Sequence, residues 1–118
     1  KIFEQKPLIG RRTRHVAVSD VTLSVRRGEV FGLAGESGSG KSTVSAIIAR
    51  LLDASRGEVV FSGQSLLDVS AAKFSSDPRR PRIQMVFQDA TDSLNPRHTA
   101  RQSISEPLKR LTKIGKSA

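Results

Sequence analysis

Gly35-Glu36-Ser37-Gly38-Ser39-Gly40-Lys41-Ser42-Thr43 is the stretch on which the reading of this chain turns. It fits G-x-x-x-x-G-K-[ST], the pattern of a loop that cradles phosphates. Gly35, Gly38 and Gly40 allow turns that a Cβ would hinder. Successive main-chain N–H groups can then face one anion. Lys41 is expected to reach the β- and γ-phosphates, and the Ser42 hydroxyl to serve as a Mg²⁺ ligand. The helix that begins near Lys41 adds the positive end of its dipole.

The flanks support the motif. Val30-Phe31-Gly32-Leu33-Ala34 reads as a buried parallel strand. Val44, Ile47, Ile48, Leu51 and Leu52 fall on one helical face, which predicts a helix over about 41–52. A linker that binds nothing requires neither the lysine nor these periodicities.

Further out, residues 1–14 read as a basic loop. His15 to Val25 alternates as a strand, and 58–61 reads as a short one, followed by a turn at Ser62-Gly63-Gln64. A short helix is expected near 70–76, a third apolar strand at Ile83–Phe87, and a helix at about 99–111. Ile104, Leu108 and Leu111 share a face of that helix, and Pro107 fits only near its first turn.

Bulk composition narrows the classes. The 118 residues make one domain or part of one. With no cysteine there is neither a disulfide framework nor a Cys-based metal site. No apolar run approaches the roughly 20 residues that span a bilayer. Net charge is +9, but the basic residues are dispersed, and five Phe with no Tyr or Trp make a poor stacking platform for single strands. Nucleic acid is therefore not the expected partner.

Three further stretches join the phosphate loop: Val21-Thr22-Leu23-Ser24-Val25-Arg26-Arg27-Gly28-Glu29, Ser55-Arg56-Gly57-Glu58-Val59-Val60-Phe61-Ser62-Gly63, and Ile83-Gln84-Met85-Val86-Phe87-Gln88-Asp89 with Ser93-Leu94-Asn95-Pro96-Arg97 and Glu106-Pro107-Leu108. Together they resemble the ATP-binding subunit of ABC transporters, and most closely the importer branch for oligopeptides, dipeptides and nickel. The resemblance runs from Lys1-Ile2-Phe3, similar to the family's K-x-F, to about Leu111.

The resemblance implies an α/β fold: a partial RecA-like P-loop core, holding 30–52 and 83–87, with the antiparallel β-subdomain of ABC ATPases near 15–25 and 57–61. It makes Lys41 and Gln88 the catalytic candidates and Ser42 and Gln88 the Mg²⁺ ligands. ATP phosphates would lie on Gly35, Glu36, Ser37, Gly38, Ser39, Gly40, Lys41, Ser42 and Thr43. Family members often stack adenine on an upstream aromatic residue, commonly Tyr. None is read at that place here, which leaves Arg12, His15 and Val16 as candidates.

The implied partners are ATP, transmembrane permease subunits, a second ATPase subunit in a homo- or heterodimer and, indirectly, a solute-binding protein. The implied location is peripheral, on the cytoplasmic face of the membrane. The family's Leu-Ser-Gly-Gly-Gln loop, Asp-Glu strand end and switch histidine do not occur in residues 1–118. Residues 1–118 are thus expected to be an incomplete ATP-binding domain, from the phosphate loop through the Gln88 loop to the start of a helical subdomain, with weak or no hydrolysis of its own. A non-transport ABC ATPase acting on nucleic acid and a nucleotide-binding module without hydrolysis stand as alternatives.

Overall fold

The structure, a computed structural model, describes residues 1–5, 13–89 and 94–111. The chain divides into two units, residues 1–73 and 74–118.

In the first unit, β1 (Ile2–Gln5) pairs antiparallel with β2 (Thr13–Val16), in the register Ile2↔Val16, Phe3↔His15 and Glu4↔Arg14. The cross-strand pair Glu4 and Arg14 is joined by a 3.0 Å ion pair. Strand therefore stands at 2–5 and 13–14, where a loop is expected, while of the strand expected at 15–25 only 15–16 forms, as the end of β2, and 17–25 form no ladder. Ladder formation depends on a partner distant in sequence, and alternation alone does not supply its register.

The helix α1 (Lys41–Ile48) follows the glycine-rich loop 35–40. It stops earlier than its apolar periodicity predicts. Arg50 N–H donates to Ile47 O and Leu51 N–H to Ala46 O, while Arg50 takes a left-handed φ of 56°. This is the bonding pattern of a Schellman cap, with arginine where glycine is usual. The left-handed conformation costs about 1–2 kcal/mol for a residue with a Cβ. Against this, the Arg50 side chain is buried and donates to Asp53 Oδ1 at 2.8 Å and to Val69 O. Asp53 Oδ1 also accepts from Ala71 N–H at 2.9 Å. One buried guanidinium and one carboxylate thus tie the end of α1 to residues 69–71, and Ile47, Ala49 and Leu66 are buried apolar residues of this unit.

Two short strands, β3 (Val60–Phe61) and β4 (Gln64–Ser65), form a hairpin. Its two-residue turn has Ser62 at φ 52° and Gly63 at φ 79°. Two successive positive φ angles match the right-handed twist of the flanking strands.

In the second unit, Phe74 is buried in a 3-10 turn over Phe74–Ser76. The Arg79 guanidinium lies 5.9 Å from the centroid of its ring. Asp77 binds the same arginine through its backbone N–H, Nε and Nη2 at 2.7–2.8 Å. The helix α2 (Ala100–Leu111) closes the described chain. Pro107 sits in its interior rather than its first turn, on an exposed side of the helix.

Among the described residues both sheets are two-stranded and antiparallel. The apolar runs 30–34 and 83–87 form no ladder. Val30 is 98% exposed and Val86 94%. An apolar run announces burial, but a central parallel strand exists only when neighbours bond both of its edges.

Candidate phosphate-binding site

The loop 35–40 is shaped by its own main chain. Ser39 N–H donates to Glu36 O at 3.2 Å, closing a tight turn. Gly38 supplies the positive φ of 81° at the third position of that turn. The first bond of α1 is Val44 N–H to Gly40 O at 2.9 Å. The N–H groups of Lys41, Ser42 and Thr43 therefore lie in the first turn, ahead of the helical bonds. Gly40 is the N-cap residue, and no side chain caps the helix. The end that needs acceptors is left without one from its own cap.

Gly40 is forced to be glycine twice over. Its φ is 92°, and a Cβ there would stand well inside van der Waals contact with Ala17 O and 3.0 Å from Val18 Cγ2. The main chain leaving β2 thus backs directly onto the loop. Lys41 Nζ folds over the same loop, donating to Gly35 O at 2.7 Å, Glu36 O at 2.6 Å and Ser39 Oγ at 3.3 Å. Ser42 is exposed on the first turn.

A shallow hollow of about 660 Å³ lies on the β1–β2 hairpin, lined by Phe3, Glu4, Thr13, Arg14 and His15. Phe3 and His15 are cross-strand partners and so share a face; Val16 is paired with Ile2 on the opposite one. Of the three residues suggested for the base, His15 lines the hollow, Val16 does not, and Arg12 lies outside the described residues. Phe3 is the aromatic residue that the sequence reading passes over. The signal for it is the K-x-F stretch, once the register sets Phe3 opposite His15.

The sequence profile of the ABC transporter family matches residues 18–117. The chain belongs to the ABC transporter family. It is 45% identical to the glutathione import ATP-binding protein GsiA of Salmonella typhi over 86% of its length, covering 16% of that protein. It is 45% identical to the oligopeptide transport ATP-binding protein AppF of Bacillus subtilis over 78% of its length, and 43% identical to OppF of Lactococcus lactis over 84%, covering 28% and 30% of those proteins. The chain thus spans less than a third of the length of these relatives. Their names bear out the resemblance to the importer branch. No solved structure matches the chain.

Within this ABC chain, the glycines, Lys41, Ser42 and Thr43 come together around one loop. Gln88 belongs to the second unit, where it is exposed beyond the apolar run 83–87. Part of the polar loop that follows it, residues 90–93, lies outside the described residues. Among the described residues no helix is long and apolar enough to cross a membrane, and no group of three His, Cys, Asp or Glu is placed to hold a metal ion.

Proposed function

We propose that this chain binds Mg-ATP through residues 35–43, as part of the ATP-binding subunit of an importer for peptides or a related small solute. The observation that carries the reading is the uncapped start of α1 under a loop that already holds the Lys41 ammonium over its centre. Main-chain N–H groups and one cation converge there, and a triphosphate tail supplies the acceptors they lack. The base is assigned to the hairpin hollow, on the ring of Phe3 with His15 beside it. Ala17, one residue beyond β2, touches the loop at Gly40, so one continuous segment serves both ends of the nucleotide.

Mg²⁺ suits the donors available. Ser42 offers a hydroxyl, Gln88 an amide oxygen, and the phosphates supply the rest; Mg²⁺ takes oxygen ligands and is commonly held by substrate phosphates with few protein groups. Bound there, the ion would neutralise charge on the β- and γ-oxygens during phosphoryl transfer to water. The part of Lys41 is to donate to those oxygens. The part of Gln88 is to hold the metal or orient the attacking water.

In the complete protein, hydrolysis would drive transport through transmembrane permease subunits, with a second ATPase subunit alongside and a solute-binding protein upstream. The subunit would lie peripherally on the cytoplasmic face of the membrane. Residues 1–118 would then be an incomplete ATP-binding domain, in which 30–34 and 83–87 are strands of a RecA-like core completed by further chain. Their exposed apolar side chains support this reading.

Titration calorimetry of the chain with Mg-ATP tests the proposal. Lys41→Ala is expected to remove charge-assisted hydrogen bonds worth about 1.5–3 kcal/mol, weakening binding about 10- to 150-fold. Folded wild-type chain that gives no heat with Mg-ATP, or an alanine variant that binds equally well, would sink the reading.

A further inference from the structure

A single hydroxyl joins the far end of the phosphate helix to the strand that carries Phe3. Ser55 Oγ accepts from Ile2 N–H at 3.0 Å and donates to Ile2 C=O at 3.2 Å. Both main-chain groups of the residue before Phe3 thus close on one side chain. A second bond runs alongside: Lys1 Nζ donates to Asp53 O at 2.8 Å and stands 5.0 Å from the Phe3 ring centroid. Asp53 is itself fixed by Arg50 at the stop of α1 and by Ala71 N–H. From Lys41, the connection runs along α1 through Arg50, Asp53 and Ser55 to β1.

We propose that Ser55 is a positioning residue for the nucleobase, holding β1 so that the Phe3 ring keeps a fixed place relative to the phosphate loop. The inference rests on the nucleotide reading above. Its physical content is register. The β1–β2 ladder fixes Phe3 against His15, and the Ala17 contact fixes the exit of β2 against the loop, but neither restrains β1 from the side of α1. Ser55 does so by mimicking a strand neighbour, offering one acceptor to the N–H and one donor to the C=O of Ile2. If the hydroxyl is removed, the ring can drift while the phosphate loop, set by its own bonds and by Gly40, keeps its shape. The loss should therefore fall on the base and spare the phosphates.

The test titrates the full chain with Mg-ATP and, separately, with inorganic tripolyphosphate and Mg²⁺. Ser55→Ala is expected to weaken ATP binding about 3- to 10-fold, the scale of one or two net hydrogen bonds. Tripolyphosphate binding should stay within about twofold, and Ser55→Thr, which keeps the hydroxyl, should recover most of the ATP affinity. In a Phe3→Ala background, Ser55→Ala should cost nothing further, because the two residues act through one platform. Unchanged ATP affinity in Ser55→Ala overturns the proposal, as do equal losses for both probes, full additivity with Phe3→Ala, or loss of the helical circular dichroism signal. A wild-type chain that binds neither probe overturns the nucleotide reading, and this inference with it. A wild-type chain that binds both probes equally leaves the phosphate loop standing and removes the base platform alone.

Discussion

The two helices of this chain begin in opposite ways. Ahead of α2, Thr99 and Gln102 cap each other: Thr99 N–H donates to Gln102 Oε1 at 2.8 Å, and Gln102 N–H to Thr99 Oγ1 at 3.3 Å. This reciprocal box satisfies donors at the helix start with the helix's own side chains. Ahead of α1 stands Gly40, which has no side chain and whose φ of 92° bars one. The self-capped helix has no buried residue, whereas the uncapped one buries Ile47 and is anchored at its far end by the buried Arg50. The contrast shows where local stability has been given up. The helix without a side-chain cap is held by packing and by its C-terminal clasp, as the proposed ligand duty of its first N–H groups would require, while the other holds itself.

The largest effect that tests this contrast is expected at Gly40. Gly40→Ala combines left-handed strain of about 1–2 kcal/mol with overpacking of about 1–3 kcal/mol against the Ala17 carbonyl. Denaturant unfolding should report residues 1–73 destabilised by about 2–5 kcal/mol in sum, with Mg-ATP binding lost. Next comes Thr99→Ala, expected to cost about 1 kcal/mol of α2 stability. It should be visible as reduced helical circular dichroism, with Mg-ATP affinity untouched. If removal of the Thr99 cap weakened nucleotide binding as much as the Gly40 variant does, the division of roles between the helices would fall.

The smallest effect is expected in acid, at the Asp77 turn of the second unit. Hydrogen bonds from the Arg79 side chain hold the Asp77 carboxyl down, from its ordinary 3.8 to about 2. The Asp53 carboxyl is lowered chiefly by the Ala71 N–H and then by Arg50. A folded value below the unfolded one means stabilisation that is fully present above the unfolded value and lost as pH falls through the folded one. The Asp77 contribution should therefore fade between pH 3.8 and about 2. Carboxyl-carbon NMR should show its midpoint near 2, returning toward 3.8 in Arg79→Ala. An unmoved midpoint would break the link between that arginine and the turn.

What could be read from the sequence alone was local. The glycine turn at 35–40, the start of α1, the Ser62-Gly63 turn and α2 each follow from residues within one or two turns of one another, and the structure places all four where they are expected. What could not be read depends on partners far along the chain. β1 and β2 hide in a basic, polar start because their pairing, and not their composition, makes them strands. The end of α1 hides because its left-handed residue is Arg50, and only tertiary burial of the guanidinium makes that residue tolerable there. Phe3 hides for the same reason: nothing adjacent in sequence marks it as the partner of His15. At 30–34 and 83–87 the difference runs the other way, with strand expected and no ladder formed among the described residues. Apolarity signals that these segments seek cover, but it does not by itself build a ladder.

The ammonium of Lys41 is held by oxygens of the loop it covers. Its bonds to Gly35 O, Glu36 O and Ser39 Oγ hold the charge over the loop. On the proposed function, capture of a phosphate would be an exchange of acceptors around a cation already in place, with little ordering entropy left to lose at that moment. Affinity would then measure how much better phosphate oxygens serve the lysine than the carbonyls it gives up, which is a smaller and more tunable quantity than the gross strength of the new bonds.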